Sequence, residues 1–278
     1  MSEPSTNSAS SRPTKKKTDH TRRLQMLNRK GGAGKTTTAI NLAEGLGRLG
    51  FRVLVVDMDA NASLTKLSGI KLRDLPYSVY DLLMSPSSLL PTRNVILQPD
   101  TISYDILPGS ENISYAEPSL LMAKRQQALR ERLAEVDEDY DFVLLDTGGQ
   151  ESFIHTLGHV YADEVILPTE ADVANWDTLE LTLNSVRKIR EDGLNPNMRI
   201  AAIVVTRYQQ GTNFGNALLE KLFEQYREVL FPILVLQTVR VREAQGYGLP
   251  IVAYDPTSQP ALAYNRLAEY IANGKAKI

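Results

Sequence analysis

The 278-residue chain contains no cysteine. That absence excludes disulfides, thiolate-held zinc and cysteine-ligated iron–sulfur clusters together. Also missing is any apolar run approaching the roughly 20 residues that a membrane span requires, and the N-terminus has no apolar stretch of the secretory kind. No membrane is expected as a partner, and a cytoplasmic location is. Charge of one sign is lacking too: 31 Lys and Arg stand against 33 Asp and Glu, a formal net charge of -2. Any contact with nucleic acid must therefore come from a local patch, or from one assembled by oligomerisation. What remains, 42% hydrophobic and 23% charged residues, is the composition of a globular protein with one generous core.

Residues 1–23 are rich in Ser, Thr and Pro and turn basic through Lys15, Lys16, Lys17, Arg22 and Arg23. With almost nothing apolar to bury, they read as a disordered basic tail, solubilising or in electrostatic contact with DNA or a partner. One domain is expected over 24–278. Within it, short apolar runs alternate with segments of helical period, the pattern of a doubly wound, mostly parallel α/β sheet with helices on both faces. The runs are Leu24–Asn28, Arg52–Val56, Ile102–Leu107, Phe142–Leu145, Glu164–Leu167, Ile200–Val205 and Ile233–Leu236. Ala39, Leu42, Ala43, Leu46 and Leu49 make one helical stripe that Gly50 should end, and Leu179, Leu183 and Val186 make another before Gly193.

Lys30-Gly31-Gly32-Ala33-Gly34-Lys35-Thr36-Thr37 follows the first run and opens the first helix. The generic phosphate-loop pattern G-x-x-x-x-G-K-[ST] fails only at its first glycine, where Arg29 stands. Backbone N–H groups of such a loop, with the N-terminus of the following helix, surround phosphate oxygens. Lys35 would neutralise β/γ charge, and Thr36 would offer its hydroxyl to Mg²⁺. Two further strands end in carboxylates, at Asp57-Met58-Asp59 and at Asp146-Thr147-Gly148-Gly149. A strand-end Asp can simply cap the next helix. Three of them beside one phosphate loop point instead to a single metal–nucleotide site, because ligands bind at the carboxyl ends of parallel strands.

Lys30, Asp57-Met58-Asp59, Asp146-Thr147-Gly148-Gly149 and the distal run from Val239 to Gly248, continuing through Pro250 and Asp255-Pro256, resemble the ParA family of partition ATPases from about Leu24 to Ile271. The resemblance implies a slow, partner-stimulated, Mg²⁺-dependent ATPase. Gly31, Gly32, Ala33, Gly34, Lys35, Thr36 and Thr37 would hold phosphate, and Thr36, Asp57 and Asp146 would serve the metal. Lys30, Lys35 and Asp59 would be the catalytic set, Lys30 reaching the partner's phosphates across an ATP-sandwich homodimer and Asp59 positioning the attacking water. Gly148 and Gly149 would belong to a loop sensing the γ-phosphate. The chain departs from the family at Ala60-Asn61, where Pro-Gln is more frequent, and at Gln237-Thr238, where Ile-Pro is usual and part of the adenine pocket forms.

Non-specific DNA is implied as a partner, contacted by Arg207, Arg240 and Arg242, with Arg266 and Lys275/Lys277 as further candidates. A ParB-like or other cargo adaptor would trigger hydrolysis, placing the protein on the nucleoid. The alternative is a membrane-surface ATPase resembling MinD, which needs a C-terminal amphipathic helix. Leu262, Leu267, Tyr270 and Ile271 make such a stripe, although the family pattern puts it on the body of the fold. His155 and His159 stand four apart on an expected helix without an HExxH pattern. They read as surface or interface residues, and Trp176 reads as packing.

Overall fold

The computed structural model describes residues 17–149, 151–171, 173–209 and 213–274, and at 173–175 and 213–215 the backbone alone. Six strands, β1 Arg22–Met26, β2 Val53–Asp57, β3 Asp105–Leu107, β4 Phe142–Asp146, β5 Glu164–Glu170 and β6 Arg199–Thr206, form one sheet in the order β3-β2-β4-β1-β5-β6. Every pairing is parallel. The helices are α1 Lys35–Arg48, α2 Ser63–Leu67, α3 Val79–Met84, α4 Ile113–Met122, α5 Ala128–Leu133, α6 Phe153–Tyr161, α7 Val173–Glu191, α8 Asn213–Tyr226, α9 Val239–Gly246, α10 Ile251–Tyr254 and α11 Gln259–Asn273.

The strands read as continuous apolar runs because both faces of the sheet are covered. Val53 and Val55 point into a core shared with α1 and α11, whereas Leu54 and Val56 pack with α3 to α6 on the opposite face. A third cluster joins β5 and β6 to α7 and α8. Each fully buried Leu or Ile in these layers contributes about 1.5–3 kcal/mol relative to exposure. The α1 helix packs so closely on its neighbours that a Cβ added at Gly45 would lie 2.8 Å from the Ala268 Cβ, and one at Gly47 would lie 2.2 Å from the Ser103 carbonyl oxygen. Gly50 ends the helix as expected. At φ 81, its N–H donates to Gly47 and that of Phe51 to Leu46, at 2.8 and 3.1 Å, closing the last turn in a Schellman motif.

Two expectations change. The run Ile233–Leu236 is not a strand. Its neighbourhood follows β6 only through isolated bridges, with Phe231 donating to Ile203 and Val235 to Val205. Pro232 between them has no N–H to continue the ladder. The ordered domain also begins before residue 24. The Lys17 and Thr18 amides already donate to Asp141, at 2.5 and 2.9 Å, and Arg22 forms a two-pronged pair with Glu164. A count of apolar residues could not reveal this segment, because buried carboxylates hold it. Residues 1–16, with most of the basic tail, and Lys275 and Lys277 lie outside the described residues.

No described helix is long and apolar enough to cross a membrane. The apolar stripe of α11 is spent on the core: Leu267, Tyr270 and Ile271 are buried, and only Leu262 is exposed.

Candidate nucleotide site

The sheet order fixes where the chemistry gathers. Met26 of β1 and Asp57 of β2 both stand in register with Asp146 of β4, so the phosphate loop leaving β1 and two acidic strand ends share the carboxyl edge of the sheet. Strand order reverses around β1, which makes this the crevice where such sheets bind ligands.

The loop is held from several sides. Asn28 donates to Pro168 at 2.7 Å and accepts from the Lys30 N–H at 2.8 Å. The Thr206 hydroxyl donates to the Ala33 carbonyl at 3.1 Å, and Arg207 donates to Gly32 at 3.1 Å while pairing with Glu170 at 2.7 Å. Gly32 and Gly34 have φ of 81 and 87, a left-handed backbone natural only to glycine. At Gly34 a side chain would in addition meet the Thr206 hydroxyl at 3.1 Å. No side chain caps the N-terminus of α1, and its first turn holds no acidic residue. Uncapped N–H groups and the positive end of the helix dipole form an anion cradle, which suits phosphate. The Lys35 ammonium is buried and donates to the Asn28 and Lys30 carbonyls at 3.0 and 3.2 Å. Burial lowers its pKa, although Asp146 and Asp59 oppose the shift.

Asp146 is the least satisfied group in the site. It is 1% exposed, and neither oxygen has a hydrogen-bond partner in good geometry among the described residues. Burial pushes its pKa up to about 8, the charge of Asp57 adds to the rise, and the Thr36 hydroxyl and Lys35 ammonium only partly offset it. An orphaned buried carboxylate beside a threonine hydroxyl fits a hard cation, and one or two protein oxygens are what Mg²⁺ takes when phosphates and water complete its shell. Asp57 is engaged differently. Its Oδ2 accepts from the Thr65 amide and hydroxyl at 2.9 and 2.7 Å, and its Oδ1 accepts from the Asp59 amide at 3.2 Å. Burial raises its pKa to about 6. Its geometry holds the β2–α2 loop behind Asp146.

Asp59 is half-buried, and its Oδ1 accepts from the amide and side chain of Asn61 at 3.0 and 3.1 Å. A Cβ added at Gly148 would lie 3.5 Å from that carboxylate, and one at Gly149 would lie 3.1 Å from the Gly31 nitrogen. The loop after β4 therefore touches both Asp59 and the phosphate loop. Lys30, Lys35, Thr36, Asp57, Asp59 and Asp146 are brought into one neighbourhood.

A cavity opens next to the loop, and Gln237 and Thr238 line it together with Gly32, Thr37, Thr206 and Gln245. The pair expected at adenine thus borders the phosphate cradle. Arg207 and Arg242 line the same cavity. Arg240 stands outside it, paired with Glu243 at 2.7 Å and Asp255 at 3.0 Å and lying over the Tyr254 ring. Arg266 pairs with Glu269 at 2.8 Å.

Sequence reasoning missed two contributors and misplaced two histidines. Thr206 closes the loop from the end of β6, and its signal was its position just past an apolar run. Gln245 donates to the Thr37 hydroxyl at 3.1 Å and lay within the distal run without a role. His155 and His159, expected at a surface or interface, are instead buried. His155 bonds the Gly148 carbonyl and His159 the Gln25 side chain, at 2.8 and 2.9 Å. Trp176 packs near Tyr226 with the Lys221 ammonium 4.0 Å from its ring centre.

A family model described as an AAA domain matches residues 21–200. The chain is 35% identical to the chromosome-partitioning ATPase Soj of Thermus thermophilus, over 90% of this chain and 95% of that one. It is 30% identical to the sporulation initiation inhibitor protein Soj of Bacillus subtilis, over 90% and 98%. Among solved structures, cobyrinic acid a,c-diamide synthase from Mycobacterium smegmatis with bound ADP and magnesium superimposes with a TM-score of 0.77 at 26% identity, over 91% of this chain and 94% of that one. With the deviant phosphate loop, the paired strand-end aspartates and the Gly148-Gly149 loop meeting at one sheet edge, the chain belongs to the ParA/Soj family of partition ATPases.

Proposed function

We propose that the protein is an ATP-dependent positioning switch: MgATP closes a homodimer that holds non-specific DNA, and an adaptor carried by cargo stimulates hydrolysis and release. The observation that carries this reading is the pair of lysines in one loop. Lys35 is buried against its own loop carbonyls, as any phosphate-loop lysine can be, whereas Lys30 is half-exposed at the rim of the cradle. A second loop lysine at that rim is placed to serve the phosphates of a facing copy. Dimerisation then becomes the output of ATP binding.

In this scheme Thr36 and Asp146 would hold Mg²⁺, which draws charge from the β- and γ-phosphates when bound. Lys35 stabilises the charge that develops on the transferred phosphoryl group, and Asp59 orients the attacking water. Gln237 and Thr238 flank the base. Arg240 is the foremost DNA candidate, since Arg207 and Arg242 border the nucleotide cavity. Its ion pairs with Glu243 and Asp255 would have to loosen for phosphate contact. Because the chain's net charge is close to neutral, DNA contact needs a local basic patch, which a dimer would double.

The test is a salt titration of DNA binding with ATP, ADP or no nucleotide. The switch demands tight, salt-sensitive binding with ATP alone. Binding that ignores the γ-phosphate would sink it. Nucleotide turnover with no DNA affinity in any state would favour small-molecule chemistry of the kind named for the Mycobacterium smegmatis synthase.

A further inference from the structure

His155 lies in the first turn of α6 and is 7% exposed. Its Nε2 stands 2.8 Å from the carbonyl oxygen of Gly148. A carbonyl can only accept, so Nε2 carries the proton and Nδ1 is left as an acceptor, 3.4 Å from the Ser152 hydroxyl. Burial lowers the pKa of the ring, which keeps it in this neutral form.

The helix that presents His155 is pinned. Ser152 caps its N-terminus through the Ile154 amide at 3.2 Å, and Glu117 of α4 accepts from the Phe153 amide at 2.5 Å. One turn on, His159 bonds Gln25 of β1, and Asn195 donates to the His159 and Ala162 carbonyls at 2.8 and 2.6 Å. Gly158 allows this close seat, since a Cβ there would lie 2.7 Å from the Gln25 amide nitrogen. Neutral burial suffices for His159, whose pKa falls to about 3 through desolvation. It needs no charge partner.

The consequence lies in the peptide between Gly148 and Gly149. It is trans, and in a trans peptide the C=O and N–H point in opposite directions. Drawing the Gly148 oxygen toward α6 therefore turns the Gly149 N–H away from α6, and the groups that approach the two glycines are Gly31, Arg29 and Asp59. Among the described residues no acceptor meets that N–H. A donor held ready, without a partner, beside a phosphate cradle is the arrangement that stabilises developing charge without reorganisation.

We propose that His155 is a positioning residue for ATP hydrolysis: by anchoring the Gly148 carbonyl through Nε2–H, it aims the Gly149 N–H at the terminal phosphate of the bound nucleoside triphosphate. The role rests on the ATPase-switch reading above. It acts on the γ-phosphate alone, because ADP has no group for this donor to meet.

The experiment compares wild type with His155→Leu, which fills the volume without a donor, and His155→Gln, whose amide nitrogen reaches about as far as Nε2. Hydrolysis of MgATP gives kcat and KM, and titrations with ADP and a non-hydrolysable ATP analogue give affinities. His155→Leu should keep its ADP affinity within about twofold while kcat and analogue affinity fall about 10-fold or more, the scale of one misaimed donor. His155→Gln should recover most of both. The proposal is overturned if His155→Leu keeps wild-type kcat and its preference for the triphosphate, if ADP affinity falls in step with that for the analogue, or if His155→Gln does no better than His155→Leu. Wild type that neither hydrolyses ATP nor distinguishes it from ADP would overturn the switch reading itself, before any variant is considered.

Discussion

Replacing Asp146 by Asn should make the protein more stable when nucleotide and Mg²⁺ are absent, and the gain should grow with pH. Asp146 is buried, neither of its oxygens has a hydrogen-bond partner in good geometry among the described residues, and burial pushes its pKa up to about 8, well above the ordinary carboxylate range. The native state thus keeps a proton that the unfolded chain releases. For a carboxyl group with a raised native pKa, stability is highest below the unfolded value and falls as pH rises toward the native one. The slope is at most about 1.4 kcal/mol per pH unit. Asp57 behaves alike, but its value of about 6 confines its contribution to lower pH. Between pH 6.5 and 7.5, Asp146 therefore dominates. Over that unit wild type should lose up to about 1.4 kcal/mol relative to Asp146→Asn, roughly 2–4 °C in Tm for a chain near this size. Thermal melts followed by circular dichroism at the two pH values measure it directly. Added MgADP should then raise the Tm of wild type strongly and of the variant weakly, because the neutral amide loses the charge that meets the cation. Equal pH slopes for the two proteins, or a variant less stable at pH 7.5, would refute the claim that burial strains this carboxylate when no nucleotide or Mg²⁺ is added.

Gly47→Ala should lower Tm by several degrees, because the new Cβ would lie 2.2 Å from the Ser103 carbonyl oxygen and overpacking costs about 1–3 kcal/mol, more than the roughly 1 kcal/mol gained in helix propensity. Gly246→Ala, where a Cβ meets nothing within 4 Å, is the control and should leave Tm unchanged or slightly higher. Lys30→Ala should bind ATP within a few-fold of wild type yet stay monomeric in light scattering, and a variant that still dimerises with ATP would remove Lys30 from the interface. Arg240→Ala should weaken DNA binding uniformly across sequences and reduce its salt slope by about 1. Arg242→Ala, at the cavity wall, should in addition raise the Kd for nucleotide, which a fluorescent ATP analogue reads.

The sequence by itself determined the layered α/β class, because a parallel sheet covered on both faces needs continuous apolar strands and the chain supplies them. It also determined the phosphate cradle, since only glycines at Gly32 and Gly34 tolerate the left-handed backbone that brings N–H groups to a phosphate. Lys35, Thr36 and the strand-end aspartates were legible for the same local reason: each sits at a fixed offset from a turn or a strand end. Tertiary structure decided what depends on neighbours far along the chain. It kept the seventh run out of the sheet, where Pro232 just before it breaks the ladder beside β6, a fault in hydrogen bonding that hydropathy does not register, and it extended the domain back to Lys17 through Asp141. It made Asp146 an orphan and Asp57 a satisfied acceptor, though the two stand side by side and read alike in the sequence. It buried two histidines whose spacing suggested a surface, because Gly158 lets α6 settle against Gln25. Spacing along one helix records which residues share a face, but not what that face is pressed against, and only the packed sheet set His155 behind the Gly148 carbonyl.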